Sequence, residues 1–297
     1  MNTKLKLSTS TIICSKTNWT TEYYSSEEAI REIGKAGFEA VDLDLAFNKL
    51  SHDPMIQDDW RNWVERQIQA AAEYRIPITQ GHAHFFSRTH CELLDDEENM
   101  RREKIIMRDI EAAGMCGIKW LVIHLGSYCD DVYYSRELSM DKNLEHCKRL
   151  GEVAAKHGVG IAIENLAIHK MPCFCASTDD LLEMLDRLGD DKVFGICWDT
   201  GHGLLNEVDQ PAVIRQMGKR LKALHINDNG GVKDEHILPF QGKIEWKPIM
   251  KALGESGFEN DITFEVLNYS KGFDENLHPA AIRFAKEVGD YLISLMG

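Results

Sequence analysis

Short, mostly apolar runs alternate with longer stretches whose apolar residues recur at helical spacing. The runs cover residues 5–14, 40–45, 78–84, 120–125, 160–165, 194–200, 221–227 and 262–266. Their length suits strands, and their continuity suits parallel strands buried on both faces. Helix signals lie between them. Ser25 and Glu28, three apart, make a capping box for a helix reaching about Gly37. A segment carrying Trp60, Trp63 and Ile68 ends before Pro77, and two more helices are predicted over 95–115 and 140–157. Ser177 opens a helix that stops at Gly189, Pro211 sits near the first turn of another, and a closing helix covers 280–296. This alternation predicts one α/β domain over residues 1–297, a closed (β/α)8 TIM barrel. No Gly-rich dinucleotide fingerprint follows the first run, which weighs against an open doubly wound sheet.

The charge narrows the partners. Against 34 basic residues stand 48 acidic ones, a formal net charge of -14. That field repels a polyphosphate, so nucleic acid is disfavoured as a partner. No run of about 18 apolar residues occurs, so no membrane span is expected. No apolar stretch follows the first residues as a signal peptide requires. The scattered cysteines at 14, 91, 116, 129, 147, 173, 175 and 197 then read as reduced thiols of a cytoplasmic protein. Cys173-Phe174-Cys175 lacks the spacing of a zinc ribbon.

What stands at the C-terminal ends of the runs matters most, because barrels of this kind build their sites there. The third run ends Gly81-His82-Ala83-His84, the fourth holds His124, and the fifth ends Glu164-Asn165. The sixth gives Asp199 and, three residues on, His202. The seventh ends His225-Ile226-Asn227-Asp228, with Asp234-Glu235-His236 beyond, and the eighth holds Glu265. Carboxylates and imidazoles together suit a divalent cation. A lone histidine at a strand end is more often an ordinary hydrogen-bonded group. Glu164, Asp199, His225 and Glu265, from four consecutive runs with few Lys or Arg nearby, would be costly to bury without a cation. His84, His124, His202, Asp234 and His236 are candidates for additional ligands. His82 and His84, two apart, point the same way and are not separated by pattern. His90, His146, His157, His169 and His278 are assigned to the surface.

Ile163-Glu164-Asn165, Trp198-Asp199-Thr200-Gly201-His202, Leu224-His225-Ile226-Asn227-Asp228 and Phe264-Glu265-Val266 resemble motifs of the xylose isomerase-like TIM-barrel superfamily. Within it they look like the sugar and sugar-phosphate isomerase/epimerases that include the ketose 3-epimerases. Gly242-Lys243-Ile244-Glu245-Trp246 resembles the loop found before the last strand there. The resemblance spans essentially the whole chain. It implies that Glu164, Asp199, His225 and Glu265 hold Mn²⁺, Mg²⁺, Zn²⁺ or Co²⁺. It further implies that Glu164 and Glu265 remove and return a proton next to a carbonyl through a metal-bound enediolate. His202, His124 and His84 would contact substrate, and Trp19, Phe85 and Trp198 would supply apolar walls.

The loop after His225 departs from the epimerase pattern, which commonly carries an Arg there. Asp234-Glu235-His236 instead resembles the endonuclease IV-like apurinic endonucleases of the same superfamily, whose three zinc ions use extra histidines. On that pattern His84, His124, His202, Asp234 and His236 would extend the site from one ion to as many as three. The expectation is a metal-dependent sugar or sugar-phosphate isomerase/epimerase. The alternatives are an apurinic-site phosphodiesterase and an inosose-type dehydratase. The expected partner is a small-molecule sugar or sugar phosphate; a homo-oligomer, dimer or tetramer, stays open.

Overall fold

Eight parallel strands follow one another around a barrel: β1 (Leu7–Ser10), β2 (Ala40–Asp44), β3 (Ile78–His82), β4 (Trp120–Ile123), β5 (Gly160–Glu164), β6 (Phe194–Asp199), β7 (Leu221–His225) and β8 (Ile262–Phe264). The computed structural model describes residues 5–14, 24–46, 53–85, 96–130, 133–168 and 172–296. The hydrogen-bonded order runs β8-β1-β2-β3-β4-β5-β6-β7. The last seam, β7 to β8, is closed just beyond the strand ends. There Ile226 N–H donates to the Thr263 carbonyl (2.8 Å) and Glu265 N–H donates to the Ile226 carbonyl (3.1 Å). The result is a nearly closed, single-domain (β/α)8 TIM barrel, as the alternation predicts.

The helices between the strands are α1 (Ser26–Ala36), α2 (Trp60–Tyr74), α3 (Asp96–Cys116), α4 (Arg136–His157), α5 (Thr178–Leu188), α6 (Thr200–Leu205), α7 (Gln210–Met217), α8 (Trp246–Ser256) and α9 (His278–Ser294). Their ends obey local chemistry. Ser25 and Glu28 form both halves of the capping box, and Gly37 ends α1 at φ 89°. Ser177 accepts two N–H bonds at the start of α5. No helix among the described residues is long and apolar enough to cross a membrane.

Three features differ from the pattern. The first run does not stay extended to residue 14: it leaves the sheet after Ser10 and turns as a 3-10 helix, Thr11–Cys14. There the Thr11 hydroxyl accepts the Asp44 N–H (3.2 Å) at the barrel mouth. A small hairpin, Cys129–Asp130 with Tyr133–Tyr134, interrupts the β4 to α4 connection. His146 and His278, assigned to the surface, are buried; a lone histidine on a helix carries no sign of which neighbour covers it.

The main apolar core lies between the outer faces of the strands and the helices. A separate small cluster, Val122, Ala162, Cys197 and Ala223 from β4 to β7, fills one side of the barrel interior. The other side is polar. Gln80 on β3 donates to Asp42 on β2 (2.6 Å) and reaches across the barrel to the Leu224 carbonyl on β7 (3.2 Å).

Candidate metal centre

The centre is built where β5, β6, β7 and β8 end. Asp199 closes β6 and caps α6, its Oδ1 accepting the His202 N–H (2.7 Å). The Asp-x-x-His spacing is therefore a helix start that holds both side chains at the mouth. Asn165 fixes Glu164's strand end against it: the Asn165 amide accepts the Asp199 N–H (2.6 Å) and donates to the Asp199 carbonyl (2.9 Å). Gly201 is required by crowding, since a Cβ there would collide with the Asn227 amide oxygen. That amide in turn donates to Asp199 Oδ2 (2.6 Å).

Glu164, Asp199, His225 and Glu265 each offer one donor atom, and those atoms all lie within 4.8 Å of one another. Glu164 Oε1 lies 3.0 Å from His225 Nδ1, and Glu265 Oε2 lies 3.4 Å from the same nitrogen. All four are buried, Glu265 the least at 9% exposed. The structure thus brings together the four residues singled out as ligands. Four further donor sets among the described residues overlap this one; two of them, His82 with His225 and Glu265, and Cys197 with Glu164 and His225, reuse the same centre, and two extend it. His82, His124 and Glu164 form the first: Glu164 Oε2 lies 2.9 Å from His124 Nε2 and 3.4 Å from His82 Nε2. Asp199, His202 and His236 form the second. Asp234 sits between its two histidines, 3.3 Å from His202 Nε2 and 3.0 Å from His236 Nε2.

Three of these histidines are aimed by the backbone. The Nδ1 atoms of His82, His202 and His236 lie 2.8, 2.8 and 3.0 Å from the carbonyls of Ala83, Asn165 and Glu265. An Nδ1–H donated to a carbonyl leaves Nε2 free to face an acid, Glu164 for His82 and Asp234 for His202 and His236, the arrangement that fixes ligand histidines in metal proteins.

Not every candidate belongs here. His84 is not part of the centre; His82 is the member of that pair at the site. His84 is clamped between Asp53 (2.6 Å from Nε2) and Asp109 (2.8 Å from Nδ1), both fully buried. Trp198 is no wall of the site: it is 1% exposed, and its indole N–H donates to Gln210 (3.0 Å). On an alternating strand it must point opposite to Asp199. Phe85 does lie beside the centre, its ring 4.7 Å from that of His124 and 5.4 Å from that of His82. Trp19 lies outside the described residues. Cys197 falls within reach of Glu164 and His225, but burial pushes its thiol up, so it stays protonated.

The His84 clamp carries its own prediction. Burial pulls this imidazole down, but Asp109 and Asp53 outweigh it and hold it up at about 10. Its contribution to stability is full below the unfolded value near 6.5 and is lost as pH rises through about 10. Urea unfolding should show His84→Ala about 3 kcal/mol less stable at pH 6, because two buried carboxylates lose their cation. The gap to wild type should shrink between pH 7 and 10. A gap that stays constant over that range would count against a charged clamp.

Electrostatics show what the centre can accept. Burial raises carboxylates and depresses imidazoles, but here pairing overrides it for most groups. Against burial, His225 and His124 hold Glu164 well below the usual carboxylate range, and His225 and His236 hold Glu265 at about 2. Asp199 is the exception, lifted by burial to about 6. Against burial, Glu164 and neighbouring acids raise His82 to about 9, Asp199 and Asp234 raise His202 to about 10, and His225 and His236 sit well above 6.5. Burial alone wins at His124 and lowers it. The ion pairs of Glu164, Asp199, Asp234 and Glu265 among the described residues are all to histidine. Protons thus balance these acids, and a divalent ion held by oxygen and nitrogen donors fits in their place.

The family model of xylose isomerase-like TIM barrels matches residues 30–288. An uncharacterised protein, y4fM, of Sinorhizobium fredii is 27% identical, covering 91% of this chain and 93% of its own length. The fructoselysine 3-epimerase of Shigella flexneri is 23% identical over 81% of this chain and 85% of its own. Matches to a probable endonuclease 4 of Cenarchaeum symbiosum and an inosose dehydratase of Geobacillus thermodenitrificans cover 45% and 41% of this chain. Among solved structures, a D-tagatose 3-epimerase-like protein superposes with a TM-score of 0.76 over 98% of both chains at 19% identity, which shows a shared fold. With the family model spanning nearly the whole barrel, the chain belongs to the xylose isomerase-like TIM barrel family.

Proposed function

We propose that this protein is a divalent-metal-dependent sugar or sugar-phosphate epimerase or isomerase that moves a proton next to a carbonyl. The observation that carries the reading is the approach of two carboxylates, Glu164 and Glu265, to the same imidazole nitrogen from different strands. The ion that Glu164, Asp199, His225 and Glu265 would hold supplies Lewis-acid stabilisation of negative charge on substrate oxygens. Everything else falls to the chain. One glutamate takes the proton from carbon, and the other returns one, so a substrate held between them can change configuration. Both are charged near neutral pH, so the glutamate that returns a proton must first take one up from solvent, and the two exchange protonation states with each turnover. His202 and His124 would contact hydroxyl groups, and Phe85 would give the ring an apolar edge. The 3-epimerase relative matches over most of its length, whereas the endonuclease and dehydratase relatives match over half or less of theirs, so the alternatives are not favoured.

Metal analysis and solvent exchange test this together. The purified protein should hold one divalent ion per chain, more weakly as pH falls because the histidines must shed protons to bind it. In deuterated water it should introduce deuterium next to the carbonyl of at least one member of a panel of ketoses and their phosphates. Three tightly held ions, with nicking of abasic duplex and no exchange, would replace this reading with phosphodiester hydrolysis.

A further inference from the structure

His225 differs from its neighbours in how it is held. His82, His202 and His236 each set Nδ1 against a backbone carbonyl, with Nε2 of His82 toward Glu164 and Nε2 of the other two toward Asp234. Among the described residues, the ring-nitrogen contacts of His225 are to acids and not to a carbonyl. Its Nδ1 faces Glu164 and Glu265, at 3.0 and 3.4 Å. Its Nε2 faces the barrel interior, where the nearest recorded acid is Asp42 on β2, with Oδ2 at 3.7 Å. That is an ion-pair contact rather than a hydrogen bond, and contacts at such sites commonly tighten when ligand binds.

Asp42 itself needs an explanation. It is fully buried in the middle of a barrel strand. Gln80 donates to Oδ2 (2.6 Å), and Oδ1 has no hydrogen-bond partner among the described residues. A buried carboxylate without a cation is costly, and His225 is the cationic partner recorded for it among the described residues. We infer that Asp42 is a positioning residue for the metal centre: it takes the Nε2–H of His225 and so keeps the Nδ1 lone pair aimed at the ion. The role supplied by a carbonyl at the other three histidines is here supplied by a carboxylate, which also makes the imidazole a stronger donor. Gln80, which donates to Asp42 Oδ2, also donates to the Leu224 carbonyl next to His225 in the chain.

The inference rests on His225 being a ligand, as proposed above, so its test has two separate readouts. The first is Co²⁺ affinity by chelator competition. Asp42→Asn should weaken it about 10- to 100-fold, with the metal-free melting temperature nearly unchanged. Gln80→Leu is the control for packing, since it removes the neighbour of Asp42 and leaves the carboxylate facing His225. It should move melting more than affinity. Equal affinity loss in both variants, or none in Asp42→Asn, would overturn the inference. The second readout needs no metal. In protein labelled with ¹⁵N-histidine, His225 Nε2 should carry a slowly exchanging, low-field proton that is lost in Asp42→Ala. Its absence from the wild type would overturn the inference even if metal binds. A wild type that binds no Co²⁺ yet shows this proton would sink the metal reading and leave the Asp42–His225 pair standing.

Discussion

Glu164→Gln is expected to lower the rate of substrate C–H exchange by about 10²- to 10⁴-fold, the usual worth of a positioned acid–base group. The substitution keeps the shape of the side chain and removes its charge. Glu164 also contacts His124, His82, His202 and His225, so metal affinity should fall as well. Measurement at saturating metal separates the two effects: a lost ligand is restored by more ion, a lost base is not. Glu265→Gln supplies the second half of the test. If the two carboxylates serve opposite faces of the substrate, each variant should block deuterium uptake from one epimer more than from the other, and the preference should invert between them. Equal, small losses from both epimers, fully recovered by added metal, would mean that the glutamates only hold the ion and that the proton moves elsewhere.

The barrel was readable because parallel strands buried on both faces must be apolar runs, and because caps such as Ser25, Glu28, Ser177 and Gly189 mark helix ends by local chemistry. The acids of the central donor set were readable for a related reason: an acid that ends an apolar strand has few innocent explanations. Other features depended on partners distant in the chain. His82 and His84 share a face, and what divides them is Asp53 and Asp109, which capture His84. Nothing within the strand reports that. Trp198 could have been excluded by alternation alone, since Asp199 already faces the mouth. Asp42 also left a trace. In Ala40-Val41-Asp42-Leu43-Asp44 two carboxylates alternate with apolar residues, which marks one face of β2 as polar and turned into the barrel. Asp44 on that face is lifted by burial to about 6.

Asp228→Ala is expected to be the most destabilising substitution near the site, about 4–6 kcal/mol in urea unfolding, although Asp228 appears in none of the donor sets. Its carboxylate accepts four N–H bonds: from the backbone of Asn229 (2.9 Å), Phe240 (3.1 Å) and Ile244 (3.1 Å), and from the Trp246 indole (3.1 Å). It is fully buried, and each buried donor left unpaired costs about 1–3 kcal/mol. These bonds explain the Gly242-to-Trp246 motif. A Cβ at Gly242 would collide with Asp228 and with the Asn229 backbone, so only glycine lets the loop close over the acid. The loop so anchored carries Asp234 and His236, which pair with His202 and lean on Glu265. Stability and site geometry therefore share one knot, and Asp228→Asn, keeping one acceptor oxygen, should fall between wild type and Asp228→Ala. Asp234→Asn should do the reverse, altering the site with little change in unfolding. If Asp228→Ala unfolds within about 1 kcal/mol of wild type while Trp246 keeps its buried fluorescence, the loop is held by its backbone ladder and apolar packing instead, and the motif needs another cause.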